Sequence, residues 1–319
     1  MERIEKRVRA IAEVNGADKM LVLTDRTVDN LTRDIFRGVP RLVVEPGEGS
    51  KSLDGAQEVW RFLEENKAVR RTLLVNIGGG MISDLGGFAA STFKRGIPCV
   101  NLPTTLLAAV DAAIGGKTGI NFNGLKNEIG TFSMPLEVIP LTELFSYLDD
   151  QEWLSGAGEA IKTGLLDSES LFKMAVSREF LVERRPEVVK EVVERCASFK
   201  RRIVEEDFRE GGRRKILNLG HTAGHAIEAL VMSRGGHIPH GVAVAHGLLF
   251  TLEKSVNEVG LDSGVLERYA EVLERYFPPV NLDEADLQAM EGYMARDKKN
   301  TEAGKVNWVL LKMIGQPVV

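Results

Sequence analysis

The 319-residue chain holds five histidines, His221, His225, His237, His240 and His246, and they crowd into one short stretch of its second half. Histidines used as core filler would be scattered, so the clustering points to shared chemistry. His221 and His225 stand four residues apart in the run from Asn218 to Glu228, which puts both rings on one face of a helix. From spacing alone both read as metal ligands, the commonest meaning of H-x-x-x-H on a helix. A second concentration lies between Ile77 and Gly130. Three glycines, Gly78 to Gly80, leave an apolar run and precede Asp84, Lys94, Arg95, Asp111, Lys117, Lys126 and Asn127, all set among glycines and small apolar residues. Glycines at a strand-to-helix handover let peptide N–H groups approach a ligand, and the helix end favours negative charge, so a phosphate or pyrophosphate is the natural guest. The spacing here is GGG-x-x-x-D, not G-x-G-x-x-G, and a purely structural tight turn is the competing reading.

Short apolar runs that alternate with helical patterns must position these groups. Residues 3–14 carry a helical rhythm (Ile4, Val8, Ile11, Val14). Strands are expected at Met20–Thr24, Arg41–Val44, Leu73–Ile77 and Pro98–Leu102, and a second helix opens after Pro103, Thr104 and Thr105. Such alternation predicts an α/β fold, a parallel sheet covered on both faces, with ligands beyond the carboxyl ends of the strands. Asp25, Glu48 and the three glycines fall at such ends. Between Leu136 and Gln151 the β-branched runs give way to helical periodicity (Val188, Val189, Val192, Val193, Cys196, Phe199, Ile203). Two domains are therefore expected, a ligand-binding α/β domain over 1–148 and a helical domain over 149–319, with the site in the cleft between them. The apolar run from Lys305 to Lys312 reads as a strand returning to the first domain. A net charge of −5 with 27% charged residues argues against nucleic-acid binding. Only two cysteines, Cys99 and Cys196, argue against a disulfide framework, and a cytoplasmic location fits. No run approaches the ~18 apolar residues of a membrane span.

The wording of the central stretch resembles the 3-dehydroquinate synthases. GGGxxxDxxGFxAxxxxRGI, PTTLLAxxDxxxGGKTGxN and LKNxIGxF follow one another in that family with the order and spacing found here. The likeness resumes at Gly156 to Lys162 (family GxAExIK), at His221 and at His240 (family HGEAVA). It implies a Rossmann-like N-terminal domain with a mostly parallel sheet and an all-helical, metal-binding C-terminal domain. It implies NAD, contacted by Asp25, Glu48, Lys51, Gly79, Gly80, Asp84, Thr104, Thr105, Asp111, Lys117 and Lys126. It also implies a zinc or cobalt ion held by Glu159, His221 and His240, which reassigns His225 to substrate contact or proton transfer. Three ligands leave open positions for substrate oxygens, the catalytic pattern.

The family's substrate cage maps onto Arg95, Asp111, Lys117, Lys126, Asn127, Lys162, Lys200, Arg214, Asn218, His225 and Lys298, with Lys299 the alternative to Lys298. Arg95 is implied to act across the interface of a homodimer. A sugar acid with both phosphate and carboxylate calls for this density of cationic donors. The implied reaction converts 3-deoxy-D-arabino-heptulosonate 7-phosphate to 3-dehydroquinate and phosphate, through transient NAD-mediated oxidation, β-elimination, re-reduction and intramolecular aldol closure. Another NAD- and zinc-dependent sugar-phosphate cyclase and a metal-dependent polyol dehydrogenase are the rival readings. Two departures stand out: Val242 replaces the family's glutamate after the His-Gly pair, and Leu141 to Asp149 differs from the usual DxxxLxTLP.

Overall fold

The structure, a computed structural model, describes residues 1–295 and 306–319. The chain divides into two compact units, Met1–Tyr147 and Leu148–Val319.

In the first unit the elements run α1 (Glu2–Val14), β1 (Met20–Asp25), α2 (Arg26–Thr32), β2 (Arg41–Val44), α3 (Leu53–Glu65), β3 (Leu73–Gly78), α4 (Gly80–Thr92) and β4 (Cys99–Pro103). A hairpin of β5 (Lys117–Phe122) and β6 (Leu125–Phe132) and the short β7 (Glu137–Val138) follow. The sheet has the order β2-β1-β3-β4-β7 and every pairing is parallel. Consecutive strand residues feed opposite cores. Leu21, Leu23 and Leu74 pack with Ala56, Leu63, Leu85 and Ala89 on the α3–α4 side, whereas Val22, Leu73 and Val75 pack with Val8, Ala12 and Val28 on the α1–α2 side. Both faces are buried, which is why β3 reads as an apolar run, interrupted at Asn76, rather than an alternation. Strand order reverses between β1 and β3, so the crevice such sheets offer to ligands opens where Asp25 and Gly78 to Gly80 lie.

The second unit is helical: α5 (Asp150–Asp167), α6 (Glu169–Ala175), α7 (Arg178–Leu181), α8 (Pro186–Glu206), α9 (His221–Ser233), α10 (His240–Val259), α11 (Ser263–Tyr276) and α12 (Glu284–Ala295). Helices α5, α9 and α10 cross with their backbones in contact, and glycine makes this feasible. A Cβ on Gly241 would lie 1.7 Å from the Ser155 carbonyl oxygen, one on Gly158 2.1 Å from that of Gly241, and one on Gly247 2.1 Å from that of Gly220. Interaxial spacing is normally set by side-chain bulk, so removing it lets the middle of α5 and the N-terminal turns of α9 and α10 carry their functional groups to one place.

The final strand departs from expectation. β8 (Leu310–Met313) turns at Gly315, whose φ of +84° suits glycine, and pairs antiparallel with β9 (Gln316–Val318). It packs on α10, where the Leu311 N–H donates to Ser255 Oγ at 3.0 Å. It therefore belongs to the second unit rather than the first: the chain turns back on itself and a local hairpin pairs one edge of the strand. Lys305 lies outside the described residues. Among the described residues no helix is long and apolar enough to cross a membrane.

Candidate functional site

Among the described residues, three helices bring together a group of chemistry-bearing side chains. Glu159 sits in the middle of α5 with no solvent exposure, His221 and His225 occupy the first two turns of α9, and His240 is the first residue of α10. Ring nitrogens of the three histidines all lie within 4.8 Å of one another. The Nε2 atoms of His221 and His240 are each 3.5 Å from the same oxygen, Glu159 Oε1. Two donors each bound to a tetrahedral zinc-like ion lie about 3.4 Å apart, so the spacing of each imidazole from Glu159 suits a shared divalent ion.

The far side of each ring is also held. His221 Nδ1 lies 3.1 Å from the Leu219 carbonyl oxygen, and His240 Nδ1 lies 3.1 Å from Glu228 Oε2. An Nδ1–H donated to those acceptors leaves the Nε2 lone pair facing Glu159, the orientation a ligating imidazole needs. Burial disfavours charge on His240, but the Glu159 and Glu228 carboxylates outweigh it and raise its pKa from 6.5 to about 9. Gly220, left-handed at φ +77°, lets the chain swing from Leu219 into α9 and so sets both imidazoles at the helix entrance.

One cation adjoins this group, and two more are buried in the same unit. Lys162, one turn on from Glu159 and almost fully buried, pairs with Glu159 Oε2. Lys200 on α8 is buried, and so is Arg214, in a short 3₁₀ turn spanning Arg213–Asn218 that packs on α8 and α5. The Arg214 guanidinium donates to the Phe208 carbonyl at 2.6 Å, its backbone N–H to Asp207 at 3.0 Å, and the Asn218 amide to Glu210 at 3.0 Å. His246, in α10, faces the Pro278 carbonyl, and His237 is in a loop. Lys298 and Lys299 lie outside the described residues.

In the first unit the expected cofactor residues gather at strand ends. Asp25 ends β1 and caps α2, accepting the Val28 N–H at 3.0 Å, and burial raises its carboxyl pKa despite the backbone N–H groups of Val28 and Thr27. Lys51, buried, reaches Asp84 Oδ2 at 2.5 Å and Glu48 Oε1 at 3.6 Å. Gly79 caps α4, with Thr105 packed against its missing side chain, and Gly80 stands close to Ala112. Thr104 is buried, and Thr105 Oγ1 accepts the Ala108 N–H at 3.2 Å, opening the segment that carries Asp111 in a π-helical turn over Ala108–Ala112. Lys117, Lys126 and Asn127 are exposed on the β5–β6 hairpin, and Arg95 is exposed in a left-handed turn after α4.

Two participants escape motif reading. Asn121 on β5 donates to Glu48 Oε1 at 3.0 Å and accepts the Asn127 N–H at 3.0 Å, tying the hairpin to the loop after β2. Glu228 is the acceptor behind His240; its signal is the spacing His221, His225, Glu228 at i, i+4 and i+7, one stripe of α9.

Residues 41–155 match the family described as 3-dehydroquinate synthase N-terminal, and residues 156–300 match 3-dehydroquinate synthase C-terminal. A 3-dehydroquinate synthase of Parabacteroides distasonis is 42% identical over 304 residues, covering 93% of this chain and 86% of the relative. Among solved structures, 2-deoxy-scyllo-inosose synthase complexed with carbaglucose-6-phosphate, NAD+ and Co2+ superposes with a TM-score of 0.84 at 24% identity, over 99% of this chain and 89% of the other. The 2-epi-5-epi-valiolone synthase of Streptomyces hygroscopicus, with NAD+ and Zn2+ bound, gives 0.82 at 23%, over 95% and 87%. At those identities the two structures show a shared fold.

Proposed function

The chain belongs to the 3-dehydroquinate synthase family, a family of carbon–oxygen lyases, and we propose that it converts 3-deoxy-D-arabino-heptulosonate 7-phosphate to 3-dehydroquinate and phosphate with NAD and a divalent ion. The observation that carries this reading is the triangle of Glu159 Oε1 with the Nε2 atoms of His221 and His240, both at 3.5 Å. When bound, the ion supplies Lewis acidity toward a substrate hydroxyl, and NAD supplies a reversible hydride acceptor restored within each turnover.

The chain's own residues do the rest. Glu159, His221 and His240 hold the ion, and the outer hydrogen bonds of the two rings keep their Nε2 atoms turned inward. His225, one turn along α9 from His221, takes and returns the substrate proton at a ring nitrogen. Lys162, already desolvated beside Glu159, donates to a substrate oxygen. Lys200, Arg214 and Asn218 bind the anionic substrate, with Lys298 or Lys299 as a further phosphate contact. Buried cations pay no desolvation cost when an anion arrives, so positioning in this cage accounts for much of the rate. In the first unit Asp25, Glu48, Lys51, Asp84 and the Gly79–Gly80 turn bind NAD, with Thr104 and Thr105 beside them. Asp111, Lys117, Lys126 and Asn127 orient substrate hydroxyls and phosphate. Arg95 acts across the interface of a homodimer, and zinc or cobalt serves as the ion.

The test is to supply heptulosonate phosphate and catalytic NAD+. Phosphate should appear stoichiometrically, with no net NADH, and stop when the ion is chelated. Preferential turnover of sedoheptulose 7-phosphate would move the assignment to another sugar-phosphate cyclase, and steady NADH accumulation with a polyol would move it to a dehydrogenase.

A further inference from the structure

His221 and His240 reach the same Glu159 oxygen from different settings. His221 is nearly buried, and its Nδ1 faces a backbone carbonyl two residues away on its own chain segment, an acceptor that cannot rotate. His240 is the first residue of α10, and a third of its side chain is exposed. Its Nδ1 faces a side chain from another helix, Glu228 Oε2, at 3.1 Å. The Glu228 side chain is itself largely buried, 13% exposed, on the α9 stripe that carries His221 and His225.

We propose that Glu228 is a positioning residue for His240: its carboxylate accepts the Nδ1–H and holds the Nε2 lone pair on the point shared with Glu159 and His221. This rests on the reading that these three side chains bind a divalent ion. Two physical effects are combined. The hydrogen bond selects the tautomer that exposes Nε2, and the negative charge makes that nitrogen a better donor to a cation. Because Glu228 and His221 share α9, the same rigid element sets one ligand directly and orients the other. Replacing such an outer partner typically weakens metal binding by about 10- to 100-fold.

The test is Co2+ titration of the full-length, metal-stripped protein against a chromophoric chelator, with the visible d–d spectrum recorded alongside. Glu228→Ala should bind Co2+ about 10- to 100-fold more weakly and with an altered d–d spectrum. Glu228→Gln keeps an acceptor oxygen and should hold the wild-type spectrum with an intermediate affinity. If Glu228→Ala does not fold, the comparison of Glu228→Gln with wild type carries the test, and an affinity equal to wild type overturns the charge contribution. Unchanged affinity and spectrum in Glu228→Ala would overturn the positioning role while leaving the ion site intact. The ion site itself fails if wild type takes up no Co2+, or if Glu159→Gln and His221→Ala bind it as tightly as wild type does.

Discussion

The two units assemble functional groups in opposite ways. In the first, the candidate residues sit on turns at strand ends and on an exposed hairpin, and most of them lie on one continuous stretch from Gly78 to Asn127. In the second, they come from separate helices, Glu159 on α5, His221 on α9 and His240 on α10, and meet in a buried group held by backbone contact between helices. Loops on a rigid sheet tolerate change because their neighbours can move. A buried crossing cannot, because close-packed interiors transmit strain.

The sharpest way to test this contrast is to add one methyl group to each unit. Gly241→Ala places a Cβ 1.7 Å from the Ser155 carbonyl oxygen, and backbone cannot step aside as a flexible side chain does. It should cost about 3 kcal/mol or more, the upper end of overpacking penalties, and abolish Co2+ uptake, as denaturant unfolding and metal titration would record. Glu159→Ala comes next. It withdraws the counter-charge from buried Lys162 and should lower stability by about 3 kcal/mol, besides eliminating ion binding. A stable variant that still binds the ion would place the site elsewhere.

Lys51→Ala in the first unit should act on one function. Losing a charge-assisted hydrogen bond worth about 1.5–3 kcal/mol should raise KM for NAD about 10- to 100-fold while bound metal per chain stays unchanged. Lost metal in that variant would show that the units are not separable in this way. Proton linkage gives a smaller effect. His240 has its pKa raised from 6.5 to about 9, so in the metal-free protein its proton stabilises the fold fully below pH 6.5 and that contribution fades as pH rises through 9. An incoming ion must displace the proton, so metal affinity should rise with pH over the same window, with a proton released per ion. An affinity that is flat across that window would contradict the assignment. The smallest change is expected at Gly49, where an added Cβ meets nothing within 4 Å: Gly49→Ala should stay within about 0.5 kcal/mol of wild type.

Much of this was legible before any coordinates. Parallel strands announce themselves as short apolar runs, and the strands at Arg41–Val44 and from Leu73 follow that reading closely. His221 and His225 share a helix, so their spacing already placed them together. Other contacts had no local signature. Val242 stands where the family has an acid, and nothing local marks another acceptor for His240. Glu228, twelve residues before His240 and on a different helix, brings Oε2 to 3.1 Å from its Nδ1. The last strand could be recognised as a strand, but its partner could not, because an apolar edge does not say which neighbour will cover it.

The amino-acid order by itself determined the elements, the glycine turn and the residue types available for ion and phosphate, because each of these follows from periodicity or from steric rules acting over a few residues. Tertiary structure decided which atoms meet: Glu159 with two imidazoles, Asn121 with Glu48, β8 with β9. Those meetings depend on how closely three helices and one hairpin approach, and that distance is set by packing among residues far apart along the chain.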